Sequence, residues 1–263
     1  MPSSTVCREE HFSTEWHRCF AQRLGLGDVV NRKAWEFTAI TAALDERGML
    51  QPGRRGLGFA VGREPLSSYF AACGVDVLAT DLGLGAKRPS WTNRAQHADT
   101  PDAIHFPSIV DRAIFDERVA FRAADMRKLD DDLGVSSYDF LWSACAFEHL
   151  GSLRKGTDFV RDAMRFLKPG GLAVHTTEYN VSSNTKTVTR GPAVVYRRRD
   201  LEELDYSLRM LRCGIEKIDF DAGTGPRDLN YDEPLKTGQG RDHIKLAGFG
   251  VVFTSVLLVI RKG

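Results

Sequence analysis

Short apolar runs rich in Val, Leu and Phe alternate along this chain with stretches in which apolar side chains recur every three or four positions. Helical spacing comes first, across residues 8–50. Trp16, Phe20 and Leu24 share one face, and Trp35, Ile40 and Leu44 form a second stripe, before Gly48 and Pro52-Gly53 end the pattern. Strand-like runs follow at 55–60, 75–80, 119–123, 138–143, 172–176, 215–220 and 251–260. Helical stretches lie at Ser67–Cys73, 155–167 and 200–212. This alternation predicts an α/β fold, a doubly wound and mostly parallel sheet covered on both faces. No helical pattern joins the last two runs, so the seventh strand is expected to fold back antiparallel beside the sixth. Residues 83–115 and 221–249 break the rhythm, and connections of that length are commonly functional. The expected organisation is a helical lid or substrate region at 1–50, then an α/β domain at 51–263 carrying those two inserts.

Composition narrows the class. The 263 residues suit one large α/β domain with additions, and 42% hydrophobic with 27% charged residues is ordinary for a soluble globular protein. A net charge of +1 gives no bulk attraction to nucleic acid. Cys7, Cys19, Cys73, Cys145 and Cys213 are scattered, without CxxC or zinc spacing, which reads as reduced thiols in the cytoplasm. The polar N-terminus does not read as a secretory leader, and no apolar run reaches the ~18 residues of a membrane span.

The densest chemical signal lies between Gly56 and Leu82. An apolar run enters a glycine-containing turn, Gly58-Phe59-Ala60-Val61-Gly62-Arg63-Glu64-Pro65, and a helix follows. The next run, Val75-Asp76-Val77-Leu78-Ala79-Thr80-Asp81-Leu82, ends on an acid. Glycine lets backbone approach a ligand closely, and an acid about 20 residues on can accept hydrogen bonds from two ribose hydroxyls. A nucleoside-containing cofactor is expected. A nicotinamide dinucleotide fits less well, because Gly58, Ala60 and Gly62 miss its fingerprint and Glu64 would stand near the phosphates.

Several motifs together resemble the class I S-adenosylmethionine-dependent methyltransferases. They are the turn around Ala60, Gly62 and Glu64; Asp81 at the end of strand two; and Ala124-Asp125-Met126 after strand three. Tyr138–Ser143 with Phe147-Glu148-His149-Leu150, and Phe166-Leu167-Lys168-Pro169-Gly170-Gly171, complete the family order. The resemblance implies a Rossmann-like seven-stranded sheet with an antiparallel last strand, and S-adenosylmethionine as cofactor. It implies cofactor contacts from Ala60, Gly62, Glu64, Asp81, Leu82, Asp125, Met126 and Ser143, with Asp81 on the ribose and Asp125 on the adenine amino group. Two departures stand out. Gly56-Leu57-Gly58 replaces the usual acid within strand one, and Ala60 replaces the first loop glycine. They leave open how the cofactor's amino group is held.

Ligands of open α/β sheets bind beyond the carboxyl ends of the strands, so methyl donor and acceptor are expected to meet near Ser143–His149. There His149 is a candidate general base for a hydroxyl, against a capping or packing role. Glu178 is a candidate catalytic or acceptor-binding residue and the best magnesium ligand, with Asp232 and His243 behind it; the alternative is a solvated loop acid. Trp91 and His97 are placed at the acceptor pocket, Trp35 in the core, and Arg197-Arg198-Arg199 on a solvated face or against a phosphosugar. Arg55-Gly56-Leu57-Gly58-Phe59 and His175-Thr176-Thr177-Glu178 are similar to bacterial methyltransferases associated with polysaccharide assembly. That similarity implies O-methylation of a sugar or oligosaccharide. The alternatives are another small metabolite methylated at O or N, and a non-catalytic cofactor-binding scaffold. A basic, aromatic-poor pocket would favour phosphosugars, and a greasy one aromatic metabolites. No nucleic acid or membrane partner is expected, and homo-oligomerisation is left open.

Overall fold

The computed structural model describes residues 3–82, 98–232 and 244–263. The strands are β1 (Thr5–Val6), β2 (Arg55–Phe59), β3 (Asp76–Asp81), β4 (Val119–Ala123), β5 (Tyr138–Ala144), β6 (Leu167–Asn180), β7 (Cys213–Ile215), β8 (Tyr231–Asp232), β9 (Lys245–Gly248) and β10 (Val251–Lys262). The α-helices are α1 (Glu15–Arg23), α2 (Arg32–Glu46), α3 (Leu66–Ala72), α4 (Arg112–Arg118), α5 (Leu153–Ala163) and α6 (Arg198–Arg209).

One mixed sheet runs β4-β3-β2-β5-β6-β10-β9-β8. β4, β3, β2, β5 and β6 pair in parallel, and β10 lies antiparallel to β6 from Phe253↔Asn180 to Arg261↔Leu172. Period-2 alternation sends neighbouring residues to opposite faces, and each face carries its own core. Phe140 and Trp142 of β5 pack with α1–α4 residues such as Phe20, Trp35, Phe70 and Phe115. Leu141 packs on the other face with Phe159, Val160, Leu201 and Leu204 of α5 and α6. This is the doubly wound α/β arrangement with an antiparallel late strand that the run pattern predicts.

The boundaries shift where pairing partners compete. β7 stops at Ile215 instead of spanning 215–220, because β1 occupies the next stretch of the same β10 edge, with Thr5↔Leu257 and Val6↔Val256. Asp219 then pairs with the N-terminal strand, accepting from the Val6 amide at 3.1 Å. β6 is longer than the 172–176 run and extends to Asn180 along the β10 ladder. The 221–249 stretch contributes β8 and β9, and β9 joins the far end of that edge through Val251↔Gly248. The 83–115 stretch contains a short 3₁₀ turn, Pro101–Ile104, and the start of α4. The helical signal of 8–50 resolves into a 3₁₀ turn (Glu9–Ser13), α1 and α2.

α2 is less amphipathic than its stripe suggested. Every residue from 38 to 44 is buried, and Trp35 is buried with its indole N–H donating to His11 Nδ1 at 3.0 Å. Of the three arginines at the start of α6, Arg198 and Arg199 are exposed as a solvated face would have them, and Arg197 is structural. Arg197 is buried, pairs with Asp200 at 2.8 Å and donates to the Thr185 carbonyl, while Arg198 pairs with Glu202. The five cysteines are free thiols. No helix among the described residues is long and apolar enough to cross a membrane.

Candidate functional site

At the carboxyl ends of β2, β3, β4 and β5 lies a cavity of about 570 Å³. The loops after those four strands form most of its wall, and Lys33 and Phe37 of α2 complete it with Lys155, Gly191 and Pro192. Its size suits a nucleoside-sized ligand with room beside it.

The β2 loop turns on two left-handed residues, Ala60 (φ 48) and Gly62 (φ 53). Ala60 therefore adopts the backbone conformation a glycine would supply, and the loop keeps its shape despite the substitution. That removes the support the scaffold reading drew from the altered loop. The conformation costs an L-residue roughly 1–2 kcal/mol, against roughly 0.5–1 kcal/mol of extra unfolded-state entropy for glycine. Ala60→Gly is expected to stabilise the protein by about 0.5–1 kcal/mol, read from the urea midpoint at unchanged slope.

Asp81 is 2% exposed and lies in the wall. Its carboxylate accepts from the amides of Gly62 (3.0 Å), Leu82 (2.7 Å) and Ala98 (3.1 Å). It thus staples the glycine loop to the end of β3 and to Ala98 within the first insert. After β4, Asp125 also lines the cavity, held by the Arg127 amide (2.9 Å) and guanidinium (2.6 Å). Arg127 holds its carboxyl below the usual range. Leu82 and Met126 supply apolar wall on this side.

Glu64 is 4% exposed and lines the cavity, and the Trp142 indole N–H donates to its Oε1 at 2.7 Å. Burial pushes its carboxyl up to about 8, partly opposed by that hydrogen bond. The fold therefore keeps a proton that the unfolded chain, at its ordinary 4.5, has lost. Stability contributed by this group must fall as pH rises from about 4.5 to 8. Thermal denaturation of the free protein across that window is expected to show the decline, reduced in Glu64→Gln; identical profiles would refute it.

β5 ends in a second turn with a left-handed residue, Cys145 at φ 49. Cys145 and His149 line the cavity, and the His149 Nδ1 lies 2.8 Å from the Pro192 carbonyl oxygen. The Gly191 amide donates to the Gly151 carbonyl at 3.2 Å, so the 191–192 segment and the start of α5 form one rim with His149.

Two expected site residues lie elsewhere. Ser143 is fully buried and outside the wall, its hydroxyl 2.8 Å from His175 Nδ1. Alternation on β5 turns it to the same face as Leu141, where Phe147 and Phe159 surround the imidazole. Glu178 lies within β6, not in a following loop, and its carboxylate pairs with Arg32 of α2. Its ligand atom falls within 4.8 Å of those of Cys145 and Glu148. Burial holds the Cys145 thiol well above its ordinary range and pushes the Glu148 carboxyl up to about 7. A protonated thiol, a protonation-prone acid and an arginine-paired carboxylate do not fit magnesium, which requires an oxygen shell of octahedral geometry. Trp91, His97 and His243 lie outside the described residues, as does the side chain of Asp232.

The sequence reading missed Lys33, Phe37, Lys155, Gly191 and Pro192. Gly191-Pro192 is a turn signal, but nothing local ties it to His149.

Comparison with known proteins adds a match over part of the chain. Residues 57–175 match the model of a methyltransferase domain. No curated protein matches the chain. Among solved structures, an S-adenosylmethionine-dependent methyltransferase from Methanosarcina mazei is similar at TM-score 0.50 and 14% identity, over 83% of this chain and 96% of that one. The 1,6-didemethyltoxoflavin-N1-methyltransferase of Burkholderia thailandensis, with 1,6-didemethyltoxoflavin and S-adenosylhomocysteine bound, is similar at TM-score 0.48 and 18% identity, over 98% and 91%. The [4+2]-cyclase SpnF is similar at TM-score 0.49 and 18% identity, over 70% and 61%. The chain spans about 60% of the length of two of the structures it matches.

Proposed function

We propose that this chain, an S-adenosylmethionine-dependent methyltransferase of the class I Rossmann-like fold, methylates a hydroxyl of a sugar or oligosaccharide that carries an anionic group. The His149–Pro192 hydrogen bond is the observation that carries the choice of oxygen. A carbonyl only accepts, so Nδ1 bears the proton and the neutral ring has its acceptor at Nε2. S-adenosylmethionine supplies a methyl group on a sulfonium, which leaves without further activation. What the chain must add is alignment at the cavity and uptake of the hydroxyl proton, and His149 is assigned that uptake.

The acceptor class follows from the wall. Lys33, Arg63, Arg127, Lys155 and His149 line the cavity together with Glu64, Asp81 and Asp125, and Phe37 is its aromatic carbocycle among the described residues. Lys33 pairs with Glu36 and Arg127 with Asp125, so the anionic group is assigned to Lys155 at the rim, and an aromatic-poor wall with charges of both signs suits a polyhydroxylated acceptor better than a flat aromatic one. Residues 1–50 are assigned to the acceptor side, which the presence of Lys33 and Phe37 in the wall supports, while the described residues of 83–115 and 221–249 are not among those that line it. A cytoplasmic setting accords with the free thiols.

A panel of neutral sugars, phosphosugars, acidic sugars, phenols and amines, assayed for S-adenosylhomocysteine formation, tests the reading. Turnover is expected with the anionic sugars. Turnover confined to amines or phenols would overturn it.

A further inference from the structure

We propose that Glu64 is the ammonium site of the donor pocket, its carboxylate taking the primary amine of the S-adenosylmethionine methionyl group in place of the acid that β2 lacks. The inference rests on the methyl-donor assignment and concerns a group that assignment leaves unplaced.

β2 itself has no space for such an acid. A Cβ on Gly56 would stand 2.5 Å from Phe140 Cζ, and one on Gly58 would stand 2.3 Å from Trp142 Cζ2 and 2.6 Å from Val61 Cγ1. The two aromatic rings of β5 lie directly over the two glycines. The ring that excludes a side chain from position 58 also holds the replacement, since the Trp142 indole N–H donates to Glu64 Oε1. Gly58, Trp142 and Glu64 thus act as one device, which moves a carboxyl from the strand to the loop two residues beyond Gly62.

Glu64 is suited to a cation that arrives with the ligand. It is buried in the cavity wall, and among the described residues Trp142 is its hydrogen-bond partner and no ion pair engages it. Lys33 acts on it only through space. Ionising a buried carboxyl against one neutral donor is costly, and an incoming ammonium offsets that cost. The neighbouring acids are already engaged, Asp81 by three backbone amides and Asp125 by Arg127. When the ammonium enters, the Glu64 carboxylic proton passes to solvent, leaving carboxylate paired with R–NH₃⁺. Donor binding therefore releases a proton at neutral pH.

Titration calorimetry compares S-adenosylhomocysteine with its analogue bearing hydrogen in place of the α-amino group, on wild type and on Glu64→Gln. Amine removal is expected to weaken wild-type binding about 100-fold and Glu64→Gln binding about threefold or less. Equal losses in the two proteins would overturn the assignment. Runs at neutral pH in buffers of different ionisation enthalpy are expected to show proton release by wild type and none by Glu64→Gln; equal release would also overturn it. Should wild type bind neither ligand, the methyl-donor assignment itself falls, an outcome distinct from binding without discrimination. The analogue comparison on wild type requires no variant to fold.

Discussion

Asp81→Ala is expected to weaken S-adenosylhomocysteine binding about 100-fold or more. Two losses add. The first is the expected charge-assisted acceptance of two ribose hydroxyls, each bond contributing about 1.5–3 kcal/mol, so that even the low end of about 3 kcal/mol exceeds the ~2.7 kcal/mol of a 100-fold change. The second is the staple: Gly62, Leu82 and Ala98 would each lose the acceptor of their amide. Unsatisfied donors at a buried wall cost about 1–3 kcal/mol each where water cannot reach them. The variant should therefore also melt earlier than wild type. Asp81→Asn keeps one acceptor oxygen and should fall between the two. Calorimetry with S-adenosylhomocysteine, alongside thermal denaturation, separates the effects. Affinity unchanged in a destabilised Asp81→Ala protein would reduce the residue to a loop staple.

His149→Ala is expected to lower kcat by about 100-fold or more, within the 10²–10⁴ range typical of general-base removal. Donor affinity should stay within about threefold, because His149 stands at the rim with Pro192, away from Asp81 and Asp125. His149→Gln keeps a hydrogen-bonding group but cannot take up the proton, and should resemble His149→Ala. The acceptor from the panel above is used for the kinetics. Near-normal turnover would remove the histidine from the chemistry and leave the Pro192 contact as a structural cap.

What was legible in the sequence was local. The β2 turn, Asp81 at the end of β3, Asp125 after β4 and His149 after β5 each follow a strand directly, and a parallel sheet brings such ends together. Ala60, Gly62, Glu64, Leu82 and Met126 were reached in the same way, and all of them line the cavity. Residues whose orientation depends on partners far along the chain were not reached. Ser143 stands one residue before the wall, and in a strand that single step reverses the face. Glu178 looked like a loop acid because nothing local shows β6 running on beside β10, nor that Arg32 waits opposite. Arg197 looked solvated like its exposed neighbours because Asp200 and the Thr185 carbonyl are assembled around it only in the fold.

By itself the sequence determined the class of fold, the main strands and their order along the chain, and which loops would meet at one cavity, since periodicity and turn residues act over a few neighbours. The tertiary structure alone decided which charges are already paired and which remain for a ligand. It seated Trp142 over Gly58 and against Glu64, matched Arg32 with Glu178, and brought Pro192 to His149. Those pairings depend on burial and distance between segments far apart in the chain, and electrostatics in a low-dielectric interior follows spatial proximity, not sequence order.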